Sequence, residues 1–154
     1  MIRRTKAEED HLLQVLQNAR NRLEYLTPND WALIVDKAKP RVFKKNDALI
    51  DPSNPKGMVF LLVQGTARVE ADGNIRISQI SPGEVCGEMS FLEERKASAS
   101  VVAEEEVEAY GVDWAALHEL FELYPHLASR FYRSLAVNLS RRLRGQIAPK
   151  SNRK

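Results

Sequence analysis

The sequence predicts a mainly β fold of the α+β class, a jelly-roll β-roll flanked by N-terminal helices and a long C-terminal helix. Three observations carry this. Between residues 41 and 112, short runs with period-two patterning or a continuous apolar character alternate with turn residues. Both flanks switch to apolar residues three and four apart, the period of a helix. Within the middle region, ARVEADGNIRISQI holds two alternating strands around Asp72-Gly73, a hairpin signal.

The elements follow in order. Thr5 and Glu8 form a T-x-x-E capping box. Leu12, Leu16, Ala19, Leu23 and Leu26 follow at alternating steps of four and three, which predicts one amphipathic helix to residue 26. Thr27-Pro28 opens a second, short helix with Trp31, Ile34, Val35 and Ala38 on one face, ended by Pro40. RVFKK and ALID flank an Asn46-Asp47 turn, and MVFLLV (58–63) is an apolar run rich in strand formers. SPGE (81–84) is another turn. SASVVA and VEAYGV read as strands separated by three glutamates at 104–106. Asp113 caps a helix to about Leu123, and Pro125 starts a longer one. In that helix Leu127, Phe131, Leu135, Leu139 and Leu143 recur every four residues, with Arg141, Arg142 and Arg144 near its end and Gly145 as a C-cap.

A chain of 154 residues has the size of one ordinary domain. The expectation is a single domain over 1–154, with helices at 1–39, the β-roll at 40–112, C-terminal helices at 113–146 and a flexible tail at 147–154. Apolar residues make up 44% and charged residues 29%, which suits a packed core under a charged surface. A net charge of +2 argues against coating nucleic acid or membranes. No run approaches 18 apolar residues, and MIRRTKAEED lacks the apolar stretch of a secretory signal. Cys86 stands alone, so no internal disulfide forms, and the expected location is cytoplasmic. His11, His118 and His126 all fall in predicted helices without metal-ligand spacing, against a metal-dependent jelly-roll enzyme. No nucleophile–base constellation and no Walker-type loop occurs, so no enzyme and no cofactor are expected.

The chemistry concentrates in GEVCGEMSFLEERKASAS, residues 83–100. Around Gly87-Glu88-Met89-Ser90 a turn, a strand end and a short helical turn meet. Glycine lets a backbone amide approach a ligand closely, and amides opening a helical turn favour anions. A carboxylate beside them would repel a phosphate unless it serves a sugar hydroxyl. Ser98 and Ser100 add neutral donors. The ligand that suits this mixture is a phosphate ester of a ribose.

Over residues 26 to 144 the sequence resembles the cyclic nucleotide-binding domain family. MVFLLVQGTARVE is similar to that family's strand, glycine and strand, and ISPGEVCGEMSFL to its phosphate-binding cassette. The resemblance implies that Glu88 accepts a hydrogen bond from the ribose 2′-hydroxyl and that the amides at Gly87 and just after it face sugar and phosphate. It also implies an arginine for the phosphate where this chain has Ala97, followed by Ser98 and Ala99. Cys86 replaces the usual aromatic residue, and by itself it reads as a small buried hydrophobe. Losing the arginine removes about 1.5–3 kcal/mol, or roughly one to two powers of ten in affinity. Arg95, two residues upstream on the same face of an extended chain, is placed to compensate, whereas Lys96 would point the other way. Glu88 could instead cap a turn or pair with Arg95.

The candidate ligand residues are therefore Cys86, Gly87, Glu88, Met89, Ser90, Arg95, Ala97, Ser98 and Ala99. The resemblance implies a regulatory sensor for cAMP or cGMP whose C-terminal helix moves or dimerises. Homodimerisation is expected through residues 127–143, joined by the seam at 12–26. Arg130, Arg133, Ser134 and Asn138 are the polar helix residues able to meet the base. No helix-turn-helix follows, so the expected partners are the nucleotide and an unidentified protein effector, with no direct DNA or membrane binding. The alternative is a degenerate fold that binds no nucleotide and serves as a dimerisation or interaction module.

Overall fold

Two four-stranded antiparallel sheets pack face to face in the computed structural model, which describes residues 5–54 and 57–147. The strands are β1 (Lys39–Phe43), β2 (Ala48–Ile50), β3 (Met58–Gln64), β4 (Ala67–Ala71), β5 (Ile75–Ile80), β6 (Val85–Cys86), β7 (Ser100–Ala103) and β8 (Val107–Asp113). One sheet has the order β1-β8-β3-β6, the other β2-β7-β4-β5. The helices are α1 (Lys6–Asn18), α2 (Pro28–Asp36), α3 (Glu88–Glu93), α4 (Trp114–Leu123) and α5 (Pro125–Ile147). The jelly-roll expectation with helices at both ends holds.

The run MVFLLV is apolar throughout because both faces of β3 are covered. Val59 and Leu61 join the cluster under the helices, with Trp31, Phe91, Phe131 and Leu135. Phe60 and Leu62 point into the other cluster, between the sheets, with Phe43, Ala67, Cys86 and Val107. The hairpin forms where its sequence signals it: Gly73 at φ +77° and Asn74 at φ +59° turn the chain, and Ala71 pairs with Ile75. The Asn46-Asp47 turn closes with Asn46 at φ +74° and Lys44 N–H on the Asp47 carboxylate at 2.8 Å. The strands it joins, β1 and β2, go to different sheets.

Helix starts follow their capping residues. Thr5 accepts the Glu8 N–H, Thr27 and Asp30 form a reciprocal box, and Asp113 accepts the Ala116 N–H. Three expectations need correction. The first helix stops at Asn18 instead of running to Leu26. Leu23 and Leu26 still reach the core, but from an irregular segment, 19–27. Its backbone groups find partners across the fold: Asn21 N–H on Glu84 Oε2, Tyr25 N–H on Ser134 Oγ, and the Asn21 carbonyl under Asn138 Nδ2, each at 3.1 Å. Those bonds replace a helical ladder. Pro40 lies inside β1 and does not end α2, which stops at Asp36; β1 is an edge strand, where a missing N–H is tolerated. Gly145 does not cap α5, which continues to Ile147. Of the tail expected at 147–154, all but Ile147 lies outside the described residues.

Candidate functional site

The cassette turns on Gly87. Strand β6 ends at Cys86, and Gly87 adopts φ +85° as the residue capping α3. A Cβ there would lie 2.4 Å from the Met58 carbonyl oxygen, so glycine is required both by conformation and by contact. Helix α3 is anchored by Phe91, which is 1% exposed and lies among His118, Trp114, Phe121, Phe131 and Tyr132 at ring-centre distances of 4.7 to 6.4 Å. It ends at Glu94, at φ +53°, and the Arg95 N–H closes onto the Ser90 carbonyl at 3.1 Å.

A cavity of about 140 Å³ opens beside the cassette. Its floor is apolar, from Phe43, Leu49, Ile50, Met58 and Phe60, and Trp114 forms a wall. Gly87, Ser90, Arg95 and Ala97 all line it, and so do Arg41, Asp51, Asn54 and Lys96. Arg95 and Ala97 both line this cavity, from a loop over residues 95–99, since β7 begins only at Ser100. That loop also brings Lys96 to the cavity, correcting the expectation that it points away, since strand alternation does not apply to irregular chain. Asp51 spends its carboxylate on the Ser53 N–H and hydroxyl, at 2.9 and 2.8 Å, and these bonds hold it below the ordinary value of 3.8.

The other expected residues lie elsewhere. Cys86 is buried between the sheets, where burial and the nearby Glu88 charge push its thiol far up, so it stays protonated. Met89 is 52% exposed, Ser98 is exposed and Ala99 half-buried. Glu88 does not line the cavity and does not pair with Arg95. It faces a narrow cleft against α5, with Asn21, Glu84, Val85, Asn138 and Arg142. The residue as a whole is half-buried, yet its Oε2 is sealed from solvent without a hydrogen-bond partner among the described residues. Burial raises its carboxyl above the ordinary value of 4.5, against the opposing pull of its own backbone amide and Arg142.

The four polar residues of α5 all engage the N-terminal region. Arg130 grips Asp30 with two bonds, of 2.6 and 2.8 Å. Its guanidinium holds the Asp30 carboxyl well below 3.8. Arg133 lies 4.0 Å from the Tyr25 ring centre, Ser134 takes the Tyr25 N–H, and Asn138 bonds to Asn21. The Asn21 amide thus links α5 to Glu84 on the turn leading into the cassette. Sequence reasoning missed Arg41, Asp51 and Trp114 at the cavity. The one available signal was Arg41 two residues before Phe43, hence on the same strand face.

A profile of the cyclic nucleotide-binding domain family matches residues 40–124, more than half of the chain and all of the cassette. The chain belongs to the cyclic nucleotide-binding domain family. Among curated relatives, Cyclic GMP-binding protein C of Dictyostelium discoideum is 27% identical over 128 residues, covering 80% of this chain and 5% of that protein. Cyclic GMP-binding protein D of the same organism is 39% identical over 77 residues, 49% of this chain and 6% of its own length. The chain therefore spans about a twentieth of these relatives. The catabolite activator protein of Thermus thermophilus has 27% identity and a TM-score of 0.64, over 79% of this chain and 57% of that one. A cyclic nucleotide-binding domain from Methylobacillus flagellatus matches in fold, with TM-score 0.73 at 18% identity over 95% and 85% of the two chains. Among the described residues, no helix is long and apolar enough to cross a membrane, and no group of three acidic, histidine or cysteine side chains could hold a metal ion.

Proposed function

We propose that this chain is a non-enzymatic, cytoplasmic regulatory sensor that binds cAMP or cGMP at the cassette and signals through α5 to a protein effector. One observation carries the reading: adjacent residues of the cassette face different partners. Gly87 lines the cavity, and Glu88 lines the cleft against α5. A ligand seated at Gly87, Ser90 and Arg95 therefore shifts the pose of Glu88 and Glu84 against Asn21, Asn138 and Arg142. Ligand binding then favours one pose of α5 over another, a population shift. The names of the Dictyostelium relatives favour cGMP as the first nucleotide to test. An isologous dimer through α5 would cover Leu143, which is 58% exposed on that helix.

A second reading, a degenerate module without nucleotide, is favoured by Ala97 and by a Glu88 carboxylate turned toward α5 instead of the cavity. Calorimetric titration of the wild type and Ala97→Arg with cAMP and cGMP separates the two. Micromolar binding by the wild type supports the sensor. Binding by Ala97→Arg alone identifies a cassette that has lost its phosphate arginine, and no binding by either variant leaves the interaction module.

A further inference from the structure

The cavity carries more positive charge than a cyclic phosphodiester needs. Arg41 from β1 and Arg95 and Lys96 from the loop after α3 converge on it, and among the described residues Asp51 is the one carboxylate in its lining. Among the described residues three cations face one carboxylate, an excess of two positive charges, and that carboxylate is already bonded to Ser53. Among the described residues none of the three cations has an ion pair or side-chain hydrogen bond. Elsewhere, Arg68, Arg76, Arg130 and Arg141 each sit on a carboxylate. The guanidinium of Arg41 lies 5.9 Å from the Phe43 ring centre, above the apolar floor. Trp114 walls the cavity, and its Nε1–H is sealed from solvent with no acceptor among the described residues. The indole fits there because position 57 is glycine, where a Cβ would lie 2.3 Å from the ring.

We propose that Arg41, Arg95 and Lys96 form a phosphate clamp, walled by Trp114, that takes a nucleoside 5′-phosphate at least as tightly as a cyclic nucleotide. A terminal phosphate carries about 1.5 to 2 negative charges at neutral pH and three acceptor oxygens, against one charge on a cyclic diester. Beside an apolar floor, each added charge is screened less than in water. Ala97 leaves the space that a longer side chain would fill, so the clamp is supplied by its neighbours and by the facing strand. This extends the sensor reading, which requires only Gly87, Ser90 and Arg95 at the cavity.

The test is calorimetry at low ionic strength with 5′-AMP, 5′-GMP, cAMP, cGMP and inorganic phosphate, on wild type, Arg41→Gln, Lys96→Gln and Trp114→Phe. Arg41 and Lys96 are exposed, so their variants keep the fold, which circular dichroism checks. Each loss of a cation is expected to weaken 5′-monophosphate binding by about tenfold or more, and Trp114→Phe by less. Monophosphates bound through Arg41 and Lys96 while cyclic nucleotides stay silent would uphold the clamp and sink the sensor reading. Cyclic nucleotides bound equally by wild type and Arg41→Gln, with monophosphates silent, would overturn the clamp and leave the sensor. Failure of the folded wild type to bind any of the five anions would overturn both.

Discussion

Replacing Gly87 by alanine tests the cassette at its tightest point. Two costs follow from the structure. At φ +85° an alanine enters the left-handed region, for about 1–2 kcal/mol. Its Cβ would also meet the Met58 carbonyl oxygen at 2.4 Å and Ile50 Cδ1 at 3.1 Å. The closer atom is backbone of β3 and must move, which adds about 1–3 kcal/mol. Gly73→Ala isolates the first cost, because Gly73 has φ +77° with nothing within 4 Å of its Cβ position. Urea unfolding measures both. With a slope of about 1–3 kcal/mol/M, Gly87→Ala should lower the midpoint by about 1–2 M and Gly73→Ala by about half as much or less. Equal midpoints for the two variants would refute the contact between Gly87 and β3, and with it the floor of the site.

Four further outcomes follow. Asp30→Ala removes a helix cap and the acceptor for Arg130, and should cost about 2–3 kcal/mol in urea unfolding, since the Arg130 end is partly solvated. Asp30 has a lowered carboxyl pKa in the fold. The advantage of wild type over Asp30→Asn should therefore be full above pH 3.8 and vanish as pH falls through the lowered value. Glu88 has the opposite sign. Its raised carboxyl costs stability as pH climbs from 4.5 through its folded value, so Glu88→Gln should match wild type in acid and equal or exceed it in thermal unfolding at pH 7. The Cys86 thiol, buried and protonated, should react with a disulfide reagent only as the fold opens; rapid labelling of the native protein would place it at the surface.

Legibility from sequence depended on how local the determinant was. N-capping residues, the Asp72-Gly73 hairpin and the four-residue rhythm of α5 act within a few positions, and each element starts where its signal lies, although Gly145 does not end α5. The end of α1 does not, because it is decided by Glu84, Ser134 and Asn138, between 63 and 117 residues away in the chain. Leu23 and Leu26 belong to the apolar seam expected on a helix and offered to a dimer, yet they lie in the chain's own core and outside any helix, since an apolar rhythm alone does not specify backbone conformation. At the site, the sequence offers Gly87 as a point of close backbone approach, while its left-handed conformation and its contact with Met58 emerge only from the fold. So does the side to which Glu88 turns, because it follows from how α5 and segment 19–27 pack on the cassette. Arg41 joins the cavity through sheet topology, which places β1 and the loop after α3 around one space.

The most direct test of the central claim is a two-dimensional amide NMR titration of the wild type with cGMP. The account predicts shifts at Gly87, Ser90 and 95–97, together with Asn21 and the α5 amides around Asn138. Shifts confined to the cassette would contradict signalling through α5. An unchanged spectrum at millimolar nucleotide, with cAMP equally silent, would contradict nucleotide sensing itself.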